Sequence, residues 1–254
     1  MSLIDPLLLA TARLSTFSGA TGLTNASGFF FRRDERLYLV SSRHVFIDED
    51  SGHRPDRLEL ELHLDPDNVT QSTGLSVLLY QDGLAVWRQG RDKDSEIDVA
   101  VMEIDQAALP EGLAIHAFSP KHLAREDDGI AIGQTLLIPG FPLGFHDAVH
   151  HLPVVRHAIV ASPWGLRFQG RGYFLTDART HRGSSGAPVA LRAVDEALRD
   201  DALPWRLLGI HSSRMDMGDR DPVVDESLGL NISWYPDILL TLTTLAPDPA
   251  PTPI

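Results

Sequence analysis

"TDARTHRGSSGAPV", Thr176 to Val189, sets two adjacent hydroxyls, Ser184 and Ser185, between Gly183 and Gly186 and closes with Pro188. Glycines on both sides of a hydroxyl point to a tight turn. They accept backbone angles that other residues avoid, aim N–H groups into a cleft and leave room for a substrate carbonyl. The proline stiffens the exit into the next apolar run. A serine in such a turn becomes a nucleophile only with a base beside it, an acid to fix the base's tautomer and donors for the oxyanion. This stretch alone leaves the choice between Ser184 and Ser185 open.

Two other segments carry the missing groups. "LVSSRHVF" is an apolar run leading into His44, and "SEIDVAVMEI" places Asp98 at the head of another. The chain around them is a succession of short apolar runs cut by turn residues. "GFFFRRDERLYLVSS" reads as strand, charged turn, strand, and "RLELELHL" alternates with period two. "LSVLLY", "LAVWRQ", "QTLLIPGF", "VVRHAIVAS" and "RLLGIHSS" follow in the same style. The pattern implies an all-β barrel or sandwich. The polar "SPKHLAREDDGI" reads as the connection between two halves, residues 1–118 and 119–245. "APDPAPTPI", residues 246–254, reads as a loose polyproline-like tail. Helical pattern is scarce: Leu7 to Leu14 reads as a short amphipathic helix, and "VALRAVDEALRDDALPW" as an inserted turn or short helix between strands.

Composition removes several classes of function. A net charge of −13 argues against a generic nucleic-acid binder, which needs clustered Lys and Arg. The absence of cysteine excludes disulfides and thiolate metal sites. No apolar run reaches the length of a membrane span. The amino terminus lacks the basic start of a secretion signal, so a cytoplasmic protein with no membrane partner is expected. "HDAVHH" brings His146, His150 and His151 together, but without the acid of an H-E-x-x-H helix, so no metal is expected there.

The order and setting of His44, Asp98 and Ser185 resemble the trypsin-like (chymotrypsin-fold) serine peptidases. Their motif is G-x-S-G-G-P; this chain reads "GSSGAP", with Ala187 in place of the second glycine. The nearer resemblance is to the bacterial high-temperature-requirement proteases. Their "TDAAINRGNSGGP" is similar to Thr176–Pro188, their "AIGNPFGL" to "IPGFPLGF", and their "NFAIPI" strand to "LGLNISW". The likeness runs from about residue 23 to about residue 240, and no PDZ domain is expected.

The resemblance implies two antiparallel six-stranded Greek-key β-barrels with the site between them. It makes Ser185 the nucleophile, His44 the general base, Asp98 its orienting acid, and the N–H groups of Gly183 and Ser185 the oxyanion hole. The expected activity is that of a serine endopeptidase acting on protein or peptide substrates through an acyl-enzyme, with no cofactor. Glutamyl endopeptidases, a branch of the family, hold a substrate carboxylate with a His and a Thr or Ser at positions matching His211 and Thr180. That likeness implies an acid-binding pocket to which Ser212 also belongs, with Arg179 either adding charge or facing solvent. A small apolar pocket, an inactive binding module and a serine esterase are the competing readings.

Overall fold

The computed structural model describes residues 4–91, 96–194, 198, 200–215 and 228–244. Asp34 and Glu35 adopt φ of 48° and 63°, the left-handed pair that a two-residue hairpin turn requires. They join β2 (Thr21–Arg33) to β3 (Arg36–Ser41). β3 in turn pairs with β9 (Glu96–Ile104), Ser41 standing opposite Ala100. These strands read as unbroken apolar runs because both faces are buried. Phe30, Leu39, Ala100 and Met102 face the core of the amino-terminal unit. Phe29, Phe31, Val40 and Val101 face a second core, shared with Tyr173, Trp205 and Trp234 of the carboxy-terminal unit.

The amino-terminal unit is completed by β1 (Thr11–Ser18), β4 (Arg57–His63), β5 (Ser72–Leu78) and β8 (Trp87–Arg91), with a small hairpin of β6 (Tyr80–Gln81) and β7 (Leu84–Ala85). Its strands form one seven-stranded antiparallel sheet in the order β5-β4-β1-β2-β3-β9-β8, one strand more than expected. β5 and β8 form its edges, and β5 is half exposed along its length. The carboxy-terminal unit is a closed six-stranded barrel of β10 (Thr135–Gly140), β11 (Val154–Val160), β12 (Tyr173–Asp177), β15 (Leu230–Trp234), β14 (Trp205–Arg214) and β13 (Pro188–Arg192). The all-β, two-unit architecture expected from the sequence is therefore present.

The helix expected over Leu7–Leu14 is cut short. α1 covers only Pro6–Leu9, started by Pro6 and by the Asp5 carboxylate, which accepts the Leu7 N–H at 3.0 Å. From Thr11 onward burial alternates, with Ala12, Leu14 and Thr16 inside, and the chain continues as β1. The polar connection runs through two single-turn 3-10 segments, Pro120–His122 and Glu126–Asp128. The helix-like stretch after β13 and the tail 246–254 lie partly and wholly outside the described residues. No helix among the described residues is long and apolar enough to cross a membrane.

Candidate active site

The register of β3 on β9 builds the first part of the site. Just past Ser41 the chain turns into the single-turn helix α2 (Arg43–Phe46), which folds His44 back over Asp98. One Asp98 oxygen accepts the His44 backbone N–H at 2.9 Å, and the other meets the ring Nδ1 at 2.8 Å. The carboxylate thus holds the proton on Nδ1 and leaves Nε2 with its lone pair. The Ser212 hydroxyl donates to the same Asp98 oxygen at 2.5 Å. Burial disfavours the charged form of His44, but the hydrogen bond to Asp98 and its charge, helped by Asp48, outweigh this and raise its pKa above 6.5.

A histidine that serves as a base has to be neutral to act, so any activity that depends on His44 in that role should rise with pH through the raised value. Removing the negative charge of Asp48 weakens the support for the imidazolium. Asp48→Asn is expected to move the acid limb of the kcat/KM profile to lower pH without changing the plateau. An unmoved limb would show that Asp48 does not reach His44.

The second part is the turn that carries Ser185. Its carbonyls are held from outside. Ser27 N–H donates to the Ser185 carbonyl at 3.0 Å and Leu143 N–H to that of Arg182 at 2.6 Å. The Ser27 hydroxyl donates to the Gly183 carbonyl at 2.7 Å while accepting the Phe141 N–H at 2.9 Å. Gly186 has φ 82°, and a Cβ there would stand 2.3 Å from the Ser27 carbonyl oxygen, so the close approach of this turn to β2 demands glycine. The N–H groups of Gly183 and Ser185 donate to no described group. Both residues line a cleft of about 330 Å³ together with His44, Asn25, Asp48 and Arg182. The Ser185 hydroxyl makes no hydrogen bond with His44 among the described residues; such bonds are often long before substrate binds.

The departures noted in the sequence have packing explanations. Ala187 is fully buried beside Leu136, Ile138 and Val189, so its extra methyl fills the barrel core. Arg43 reaches Gln89 at 2.6 Å and both Glu49 and Glu96 at 2.9 Å, fastening the turn behind His44 to β8 and β9.

The residues assigned to the specificity pocket separate. Thr180 lines a second cleft, of about 510 Å³, with Asp177, Arg179, Arg182 and Arg214. Its hydroxyl, however, donates to Asn231 Oδ1 at 2.6 Å. His211 is buried beneath the His44–Asp98 pair and is not on the wall of that cleft. Burial, reinforced by the charge of His44, pushes its pKa down to about 4, so it is neutral at neutral pH. Ser212 directs its hydroxyl to Asp98. In their place the structure puts three guanidinium groups around the cleft, where the likeness to glutamyl endopeptidases pointed to Arg179 alone. Arg179, Arg182 and Arg214 are exposed, and none forms an ion pair with a described residue.

The trypsin-like peptidase domain family matches residues 26–193. Among solved structures, an inactivated protease paralogue of the scabies mite is similar at a TM-score of 0.56, with 13% identity over 94% of each chain. A serine endoprotease from Yersinia pestis is similar at a TM-score of 0.49 and 18% identity, covering 92% of this chain. This chain spans 61% of that protein's length. No curated protein sequence matches significantly. At 13% identity the mite protein, itself an inactivated protease, speaks for the fold alone. Activity therefore has to be argued from the site.

Proposed function

We propose, for a chain that belongs to the trypsin-like peptidase domain family, that it is a serine endopeptidase working through His44, Asp98 and Ser185. His44 Nε2 takes the hydroxyl proton as Ser185 Oγ attacks the scissile carbonyl. The N–H groups of Gly183 and Ser185 bind the oxyanion, each such donor stabilising the transition state by about 3 kcal/mol. The C–N bond then breaks, His44 passes the proton to the leaving amine, and an acyl-enzyme remains. A water molecule, deprotonated by His44, releases the acid and restores the serine. Asp98 holds the imidazole in the required tautomer throughout.

The observation that carries this reading is the pair of unpartnered N–H groups, Gly183 and Ser185, in the same cleft as a histidine fixed by a carboxylate. Without catalysis in view, that arrangement leaves two donors idle in a turn whose Arg182, Gly183, Ser184 and Ser185 carbonyls are all engaged. Labelling by a fluorophosphonate, followed by turnover of peptide and ester substrates, tests it. An unlabelled protein would favour the binding-module reading, and ester turnover without peptide turnover the esterase.

The preferred substrate is a peptide with an acidic side chain, Glu before Asp, ahead of the scissile bond. The support is the set of three arginines that, among the described residues, face the single acid Asp177 around the larger cleft, which adjoins the cleft of His44 and Ser185 through Arg182. A guanidinium–carboxylate hydrogen bond is worth about 1.5–3 kcal/mol, so a Glu peptide is expected to exceed its Gln twin in kcat/KM by about 10-fold or more. Charge reversal by Arg179→Glu with Arg214→Glu should turn the preference toward Lys. Equal cleavage of the Glu and Gln peptides would dismiss the acidic pocket and leave the peptidase reading standing.

A further inference from the structure

"HDAVHH" lacks a local acid, but the fold supplies one from another barrel. Glu61 of β4 meets the loop that links β10 to β11, where one donor atom each of Glu61, His146 and His151 all lie within 4.8 Å of one another. We propose that these three side chains form a divalent transition-metal site of the Zn²⁺ type, with two imidazoles, one carboxylate and water completing the coordination. The proposal is independent of the peptidase chemistry.

Three observations support a built site. His151 Nδ1 stands 2.6 Å from a Glu61 oxygen, yet the approach misses hydrogen-bond alignment and leaves this buried nitrogen without a hydrogen-bond partner. A buried polar atom without a partner is costly, and a metal ion would supply what it lacks. His146 donates from Nδ1 to the Gly144 carbonyl at 2.7 Å, which leaves Nε2 with its lone pair outward. A backbone carbonyl on the far ring nitrogen is the usual support of a metal-binding imidazole. Glu61 is itself oriented, accepting from the Ser72 hydroxyl at 3.2 Å, while Arg13 holds its other oxygen at 3.5 Å.

The loop is also anchored independently of any ion. The His63 ring meets the His150 carbonyl at 2.8 Å, and Asp147 accepts the N–H groups of Val149 and His150. His150 turns away, its ring engaged by Asp147 at 2.7 Å, so it is not a ligand. Zinc–nitrogen and zinc–oxygen distances of about 2.0–2.2 Å put tetrahedral donors about 3.3 Å apart, within reach of small side-chain rotations here. Among the described residues, Arg13 is the cation that meets Glu61, and its charge opposes the ion.

The site would tie the two units together beside the turn that carries Ser185. The same loop begins at Phe141 and Leu143, whose N–H groups hold Ser27 Oγ and the Arg182 carbonyl. An ion at Glu61 would therefore brace the segment that supports the oxyanion turn.

The full-length chain, stripped with EDTA, should bind one equivalent of Zn²⁺ by titration calorimetry, gain thermal stability, and give visible absorption with Co²⁺. Ca²⁺ and Mg²⁺ should do neither, because two of the three donors are nitrogen. Glu61→Gln and His146→Ala are each expected to weaken Zn²⁺ binding by about 10-fold or more, while His150→Ala leaves it unchanged. Circular dichroism of each variant confirms the fold, and His146→Ala, in a half-buried loop position, serves if Glu61→Gln does not fold. No stoichiometric binding by the wild type, or binding that survives in folded Glu61→Gln and His146→Ala proteins, would overturn the proposal.

Discussion

Ser185→Ala is expected to abolish fluorophosphonate labelling and to lower kcat by about 10⁴-fold or more, whereas Ser184→Ala should leave both close to wild type. The two hydroxyls are neighbours in sequence but not in environment. Ser185 lines the cleft that holds His44. Ser184 is 2% exposed, with its N–H on the His181 carbonyl, and offers no hydroxyl to a substrate. His44→Ala should match the Ser185 loss, because base and nucleophile act as a unit and their effects do not add. Asp98→Asn should cost about 10⁴-fold as well, since an amide can present its N–H to Nδ1 and lock the ring in the wrong tautomer. Ser212→Ala should cost less, because it removes one of the three hydrogen bonds that Asp98 accepts. Labelling lost in Ser184→Ala and kept in Ser185→Ala would reverse the assignment. A wild-type protein that takes no label would place the chain with inactivated members of the fold.

What the sequence revealed of this site was what neighbouring residues encode. The turn around Ser185, the run into His44 and the strand headed by Asp98 each carry their pattern within a few residues, so a triad could be expected from them by likeness. The pairing of Ser41 with Ala100, which sets His44 over Asp98, is a matter of sheet register and is not written in either segment. Ser27 went unnoticed for the same reason. Its hydroxyl joins the Gly183 carbonyl to the Phe141 N–H across the two units, and nothing in its own stretch marks it. His211 was legible as a strand residue, but its burial depends on β14 lying between β13 and β15 under the catalytic pair. It lies off the wall of the cleft that Arg179, Arg182 and Arg214 line. Glu61 and His151 belong to different units, and only their meeting suggests a ligand. In the fold, the alternating and unbroken apolar runs located most strands, while α1 was overdrawn because Leu7–Leu14 carries a helical spacing that the period-two burial from Thr11 overrides.

Gly183→Ala is expected to lower kcat by about 10²–10³-fold with little change in KM, the size of effect seen when one oxyanion donor is lost. The residue adopts φ 91°, in the region that side chains avoid, and a Cβ there would stand 2.5 Å from the Phe141 carbonyl oxygen and 2.9 Å from the Leu143 nitrogen. Both contacts are backbone, so the turn itself has to move, and the movement displaces the Gly183 N–H from the proposed oxyanion site. The strain should also lower stability by about 1–3 kcal/mol, which thermal unfolding would register. Ala187→Gly provides the contrast. It restores the glycine of the family motif but removes a fully buried methyl from the barrel core, so it should destabilise by about 1 kcal/mol and leave kcat close to wild type. The pair separates two uses of small residues in one turn: Gly183 shapes the site, and Ala187 packs behind it. If Gly183→Ala folds and turns over substrate within twofold of wild type, the N–H of Gly183 does not bind the oxyanion, and the donor has to be sought elsewhere in the cleft.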